Sequence, residues 1–272
     1  MADGIDKAVV LAAGAGRRMR REDAAVRLTD AQSAVAAQGI KALVPIGRPF
    51  VDYVLYHLAE AGVTQVCLVV GPDHEALRDH CTVLGGRRLA IEFAVQAEPR
   101  GTADAVASAA EFAGDDEFLA INSDNLYPVD ALRRLRQTDG PAAIGFDSAT
   151  VFHPRQHSPE RVAAMGVMQC DEAGYLRRIL EKPPAEVLAT LPRPIYVSMN
   201  CWRFSPAIFE ACRGIPPSPR GEYELPGAVN CSVEQLGQRY RVIPSDGQVL
   251  DLSHRSDVAD VAELLHDVEV DL

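Results

Sequence analysis

Two glycines followed by two arginines are the first residues in this chain whose order suggests chemistry. Gly14 and Gly16 come directly after the apolar run at 8–11, and Arg17 and Arg18 follow them. A loop of small residues at the end of a strand can turn its backbone amides toward a phosphate. The same residues also suit a tight turn with surface arginines, and the loop alone divides evenly between the two readings. It is not a dinucleotide fingerprint: Met19 stands in the place of the third glycine, and no Gly-Lys-Ser/Thr follows as in a P-loop. That excludes a nicotinamide-binding oxidoreductase. Lys41 supplies another cation at the mouth of the next apolar run. Asp124 and Asp251 each end an apolar run, 118–121 and 249–250. Such an aspartate is either a turn residue or a ligand at the carboxyl edge of an open sheet. If the two meet, they suit Mg²⁺, which takes one or two carboxylates and fills its octahedron with phosphate and water.

The surrounding elements must bring these residues together. Strand patterns at 8–11, 66–70, 89–95 and 118–121 alternate with helical patterns at 50–61, 73–81, 101–113 and 129–137, the rhythm of a parallel α/β half ending near residue 140. Shorter strands at 142–146, 163–169, 175–180 and 196–204 follow, separated by proline-rich turns, and a closing helix spans 257–266. Antiparallel additions to a parallel sheet are expected. The segment 20–39 is long for a connection, and it predicts either an ordered lid or a helix over 29–37.

At this point a resemblance becomes specific. Residues 11–19 (LAAGAGRRM) followed by 41–50 (KALVPIGRPF) resemble the opening signature of the sugar-1-phosphate nucleotidyltransferases, the group of glucose-1-phosphate thymidylyl-, uridylyl- and adenylyltransferases and mannose-1-phosphate guanylyltransferase. Further stations follow in the same order. Gln96 to Val106 resembles the base-reading segment, residues 122–127 (NSDNLY) the strand-end carboxylate, Gly166, Glu181-Lys182 and Ser198 to Asn200 the sugar pocket, residues 221–226 the Gly-Glu-x-Glu element, and 249–254 the second metal aspartate. Glu-Lys-Pro is common and carries nothing alone; the collinear order carries the argument.

The resemblance implies an α/β fold, a Rossmann-like three-layer α/β/α sandwich with a mixed central sheet of the nucleotide-diphospho-sugar transferase type. It implies one domain over 1–272, with a nucleotide-binding half at 1–140 and a sugar-phosphate-binding half at 141–272. It implies nucleotide contacts from Leu11, Ala13, Gly14, Gly16, Gln96, Gly101 and Thr102, and sugar-phosphate contacts from Asn125, Gly166, Glu181, Lys182, Ser198 and Asn200. Arg18, Lys41, Asp124 and Lys182 would be catalytic, with Mg²⁺ between Asp124 and Asp251. The reaction would join a nucleoside triphosphate to a sugar-1-phosphate by direct in-line attack, releasing pyrophosphate without a covalent enzyme intermediate. Arginine and lysine suit it because charge builds on phosphoryl oxygens as the bond breaks. Three departures mark the chain: Ser253-His254 where Gly-Thr is usual, Asn200 and Ser198 at positions usually held by glycine and asparagine, and the long 20–39 insert. The alternative they leave open is a catalytically idle, nucleotide- or sugar-phosphate-binding regulatory homologue.

Composition narrows the remaining classes. The 272 residues are 47% hydrophobic, enough for a full core, and carry 27 Lys+Arg against 38 Asp+Glu, a formal net charge of -11. Non-specific binding to nucleic acid or an anionic membrane is disfavoured, so the phosphate site must be local. No apolar stretch reaches the length of a membrane span and no basic leader precedes one, so a cytoplasmic location is expected. Six cysteines without a C-x-x-C pair read as buried free thiols. His153 and His157 fall among prolines and read as a solvated loop, not a metal site. Homo-oligomers are usual in the resembled family, and a homo-oligomer stays open here.

Overall fold

The computed structural model describes residues 4–272. The first half contains β1 (Lys7–Leu11), α1 (Arg17–Arg20), α2 (Asp30–Gln38), a 3₁₀ turn (Lys41–Leu43), β2 (Pro45–Ile46), β3 (Arg48–Pro49), α3 (Phe50–Ala61), β4 (Gln65–Val70), α4 (Glu75–Leu84), β5 (Ala90–Val95), α5 (Thr102–Ser108), α6 (Ala110–Ala113), β6 (Phe118–Asn122), β7 (Asn125–Leu126) and α7 (Val129–Gln137). The second contains β8 (Ala142–Asp147), α8 (Pro159–Ala163), β9 (Gly166–Cys170), β10 (Leu176–Glu181), α9 (Ala185–Thr190), β11 (Tyr196–Ser198), β12 (Trp202–Phe204), α10 (Ile208–Gly214), α11 (Leu225–Glu234), β13 (Arg241–Ser245), β14 (Leu250–Asp251) and α12 (Asp257–Leu264).

One ten-stranded mixed sheet runs through both halves in the order β10-β9-β11-β8-β12-β6-β1-β4-β5, with β13 also on β8. β1 pairs in parallel with β4 and β6, and β4 with β5. β1, β4 and β6 are nearly continuous apolar runs because both faces are covered, whereas β5 at the edge is partly exposed. Ala8 and Val10 point into the core shared with α3, α7 and α12, while Val9 and Leu11 point into the core shared with α5, α10 and α11. The alternation of side chains along a strand therefore builds three layers. In α7 the buried residues are Ala131, Leu132 and Leu135, and Arg133 and Arg134 lie on the exposed face. At the β10 edge the Asn230 amide imitates a neighbouring strand: its Oδ1 accepts from Ile179 N at 2.7 Å and its Nδ2 donates to Ile179 O at 3.0 Å.

Four local readings of the sequence are corrected. The expected helix over 101–113 breaks at Ala109, whose N–H turns to Val106 O in a tighter i→i+3 bond. The expected strand over 163–169 begins only at Gly166. Ser158 caps a helix there by accepting from Arg161 N, with Pro159 at its first turn. The expected strand over 196–204 is interrupted, and Asn200 adopts φ 54 in the gap. Both halves pair with β8, but on the other edge β11 meets β9 whereas β12 meets β6. The sheet thus forks between β6 and β9. Finally, β14 does not join the main sheet; it pairs only with β7, setting Asp251 opposite Asn125.

Within the segment 20–39, residues 30–38 are helical, as the 29–37 reading expects. Thr29 and Gln32 form a reciprocal capping box, Gly39 closes α2 at φ 78, and Ala36 is buried. Of the six thiols, Cys67, Cys81, Cys201 and Cys212 are buried and Cys170 and Cys231 half-buried. Burial pushes Cys67, Cys81 and Cys212 up to about 12, which leaves them unreactive. No helix among the described residues is long and apolar enough to cross a membrane.

Candidate active site

A cleft of about 560 Å³ opens at the carboxyl ends of β1 and β6 and into the fork of the sheet. All the residues expected to bind nucleotide or sugar phosphate line it except Asn125. Asn125 and Asp251 line an adjoining cleft of about 550 Å³, which shares Arg18 and Asp124 with the first.

The phosphate end is made by the loop between β1 and α1. Gly16 adopts φ 59, and a Cβ there would collide with the Gly39 carbonyl, so only glycine lets the loop and the end of α2 touch. Arg255 Nε donates to Met19 O at 2.9 Å and fastens the start of α12 to this loop. Lys41 Nζ lies 2.7 Å from Asp124 Oδ2, with side chains 15% and 24% exposed. The sequence reading gave these residues separate tasks; the fold makes them one ion pair.

The acidic end is the β7–β14 ladder. Asp251 is 6% exposed, and its Oδ1 accepts from Ser253 Oγ at 2.8 Å and Asn125 Nδ2 at 3.1 Å. Gln156 holds its backbone from both sides, accepting from Asp251 N at 3.1 Å and donating to Asp251 O at 2.8 Å. Arg161 Nη1 stands 3.4 Å from Asp251 Oδ2, while its Nη2 donates to Asp257 Oδ1 at 2.6 Å. Burial, and then the negative charge of Asp124, push the Asp251 carboxyl up to about 6, against the pull of Arg161 and Ser253. The donor set suits a divalent cation. Asp124, in the turn before β7, and Asp251, on β14, line the same cleft, and Asp251 is held at a raised pKa that added positive charge would relieve. The His153–His157 stretch is a loop but not wholly solvated, since Gln156 is buried in it. His254 sits 42% exposed beside Asp257. Desolvation is the first cause of its lowered pKa, and Arg18, Arg161 and Lys41 lower it further, which favours a neutral ring.

At the end where the resemblance expects the base, Gly101 adopts φ 120, and a Cβ there would strike the Tyr223 backbone. Tyr223 N donates to Arg100 O at 2.7 Å, Ala103 N to Tyr223 O at 2.9 Å, and Leu225 N to Thr102 Oγ1 at 2.9 Å. Thr102 is thereby occupied with the Glu222–Glu224 segment, which it stitches to the Gln96 loop. Gln96 is 4% exposed.

At the end where the resemblance expects the sugar, Glu181 lies directly across from Gly166 in the β9–β10 register, and a Cβ on Gly166 would come within 2.8 Å of Glu181 Oε1. Burial raises the Glu181 carboxyl, with Lys182 and Arg220 pulling it back. Lys182 itself is held at φ 43, a conformation unfavourable for a side-chain-bearing residue and one that clusters at ligand sites. Asn200 Nδ2 donates to Asn122 Oδ1 at 3.3 Å, Asn122 Nδ2 to Asn125 Oδ1 at 3.0 Å, and Asn125 Nδ2 to Asp251. An amide relay therefore joins the sugar end to the acidic end.

Sequence reasoning did not single out Asp104, Gln156, Arg161, Arg220 or Ser253. Arg220 carried a signal: it adjoins Gly221-Glu222, and it both lines the cleft and pairs with Glu224. Ser253 stood in the atypical Asp-Leu-Ser-His station. Gln156 and Arg161 carried none, because they reach Asp251 only across 95 and 90 residues of chain, through tertiary contact.

These features describe an open α/β fold in which the glycine loop, the Gln96 loop, the Glu181-Lys182 pair and the carboxylates Asp124 and Asp251 surround two adjoining clefts. The sequence profile of the nucleotidyl transferase family matches residues 7–267, and the chain belongs to that family, among the sugar-1-phosphate nucleotidyltransferases. It is 30% identical over 235 residues to the low-salt glycan biosynthesis nucleotidyltransferase Agl11 of Haloferax volcanii, covering 84% of this chain and 57% of that one. It is 28% identical over 255 residues to the UTP–glucose-1-phosphate uridylyltransferase AglF of the same organism, covering 92% and 93%. It is 30% identical over 268 residues to the glucose-1-phosphate thymidylyltransferase of Streptomyces antibioticus, covering 97% and 67%. The fold is that of UDP-glucose pyrophosphorylase: the complex with UDP-glucose superposes with a TM-score of 0.73 at 17% identity, covering 96% of this chain and 98% of that one.

Proposed function

We propose that this chain, as a single nucleotidyltransferase domain, transfers the nucleoside monophosphate of UTP or dTTP to a hexose-1-phosphate, glucose-1-phosphate first among them, with Mg²⁺ as cofactor. The observation that carries this reading is that Lys41, paired with Asp124, lines one cleft with Gln96 and the Glu181-Lys182 pair, and that Asp124 also lines the adjoining cleft with Asp251. The uridylyl- and thymidylyltransferase names of the relatives support the nucleotide and the sugar phosphate.

In this reading the amides of Ala13, Gly14 and Gly16, with Arg18, hold the triphosphate, and Lys41 meets the charge that builds on the leaving pyrophosphate. Lys182 and Arg220 bind the sugar phosphate. Glu181, Asn200 and Ser198 accept and donate to sugar hydroxyls. Asp124 and Asp251 would hold Mg²⁺, which supplies charge neutralisation between two anions that must approach. The chain's own contribution is positioning: the amide relay Asn200–Asn122–Asn125 keeps both substrates' pockets in register with the carboxylates. An idle regulatory homologue would have no use for a buried carboxyl raised by a second carboxylate beside it. Incubating the protein with each of five triphosphates and several hexose-1-phosphates, and scoring pyrophosphate release with and without Mg²⁺, tests the proposal. Release with UTP or dTTP and glucose-1-phosphate is expected; no release with any pair rejects it.

A further inference from the structure

Gln96 carries one polar group more than the fold uses. Its Nε2 donates to Gly101 O at 3.0 Å and to Asp104 Oδ2 at 2.8 Å, so both amide hydrogens are taken by groups that only accept. The opposite orientation of the amide would set Oε1 against two oxygens, so the flip is determined by its partners. Oε1 takes no hydrogen bond from the described residues, yet it is not among the side-chain atoms sealed from solvent without a partner. Gln96 lines the cleft, and Oε1 is the atom it has left to offer.

We infer that Gln96 is a one-way acceptor for the nucleobase, held so by Asp104, and that the site selects bases whose ring edge carries an N–H over those whose ring nitrogen carries a lone pair. Uracil and thymine have that N–H at N3 and guanine has it at N1; cytosine N3 and adenine N1 are acceptors. A free glutamine amide can rotate to suit either kind. This one cannot, because rotating it breaks two hydrogen bonds and opposes oxygen to oxygen at both. A site that leaves a lone pair facing a lone pair in a desolvated pocket rejects the wrong base far more strongly than a site that merely loses a contact. Asp104 touches no substrate in this scheme; it is a positioning residue that acts through Gln96.

The inference rests on the reading of the cleft as a triphosphate site. Equilibrium binding of UTP, dTTP, GTP, CTP, ATP and 3-methyluridine triphosphate to the full chain, without sugar phosphate, separates the two. Because 3-methyluridine differs from uridine only at the ring N–H, it requires no altered protein. UTP, dTTP or GTP should bind about tenfold or more tighter than CTP and ATP, and 3-methyluridine triphosphate should bind as weakly as CTP. Asp104→Asn, which can present an N–H to a rotated Gln96, should cut the UTP:CTP ratio about tenfold, and Asp104→Glu should retain it. A purely structural Asp104 would weaken all triphosphates alike and leave the ratio unmoved. Equal binding of UTP and its 3-methyl form, or a wild-type preference for CTP or ATP, overturns the inference while leaving the transferase reading intact. Failure of every triphosphate to bind overturns both.

Discussion

The base end and the acidic end of this cleft are built on opposite principles. The base end is local: Gln96, Gly101 and Asp104 lie within nine positions, and their hydrogen bonds span five and eight residues. Its polar groups are matched, apart from the one acceptor left for the ligand. The acidic end is assembled over distance: Lys41 and Asp124 are separated by 83 residues, Asn125 and Asp251 by 126, Arg161 and Asp257 by 96. It remains electrostatically unfinished, with a buried carboxyl pushed up to about 6 by burial and by Asp124. A locally satisfied pocket can be rigid before the ligand arrives and so discriminate. The buried Asp251 carboxyl beside Asp124 is a deficit that a cation removes, so the same geometry that weakens the empty protein favours metal binding.

The most severe way to break this comparison is to remove a carboxylate. Asp124→Ala and Asp251→Ala should each leave the fold intact, lower turnover by roughly a thousandfold and raise the Mg²⁺ needed for half-maximal rate. Steady-state kinetics across a Mg²⁺ series measures this. An Asp251→Ala enzyme with normal turnover and magnesium dependence would reassign Asp251 to holding the β7–β14 ladder. Next in size is the division between substrates. Lys182→Ala should raise the KM of the sugar phosphate by about ten- to a hundredfold with little change for the triphosphate, and Lys41→Ala should do the reverse. Equal changes for both substrates in both variants would mean that the cleft has no separate ends.

A smaller effect sharpens the electrostatic side. The folded pKa of Asp251, about 6, lies above the roughly 3.9 of an unfolded aspartate, so the folded chain binds the extra proton between those values. Stability of the metal-free protein from this group is therefore highest below about pH 4 and falls, by on the order of 2 kcal/mol, as pH rises through 6. Urea denaturation at pH steps across this window should show the decline, and saturating Mg²⁺ should flatten it. A metal-free profile that rises over the same window would show that other groups dominate. The smallest expected effect is at the insert. Because α2 is already capped and Ala36 already buried, triphosphate should slow amide exchange chiefly at Gly16 and Gly39, where loop and helix touch, and little within 30–38. Strong new protection across the whole helix would make the insert a lid after all.

The local pieces of this protein were legible in its residues. Continuous apolar runs marked β1, β4 and β6, and 129–137 matched α7 residue for residue, because period and capping are properties of neighbours in sequence. The stretch from Thr29, with Gln32 completing the capping box, was readable as a helix for the same reason. So were the glycine loop and Gln96, contiguous motifs whose order along the chain carried the family resemblance. What only the tertiary structure decided was pairing. Nothing local announces that the extended stretch 196–204 changes partners at Asn200 and forks the sheet, since strand partners are chosen by packing across the chain. Nor could the sequence reveal that Arg161, placed by its spacing near a strand, sits in a helical turn capped by Ser158 and reaches Asp251 and Asp257. Charge compensation is a through-space property: Coulomb attraction and desolvation depend on distance and burial, and neither is encoded by the separation of two residues along the chain.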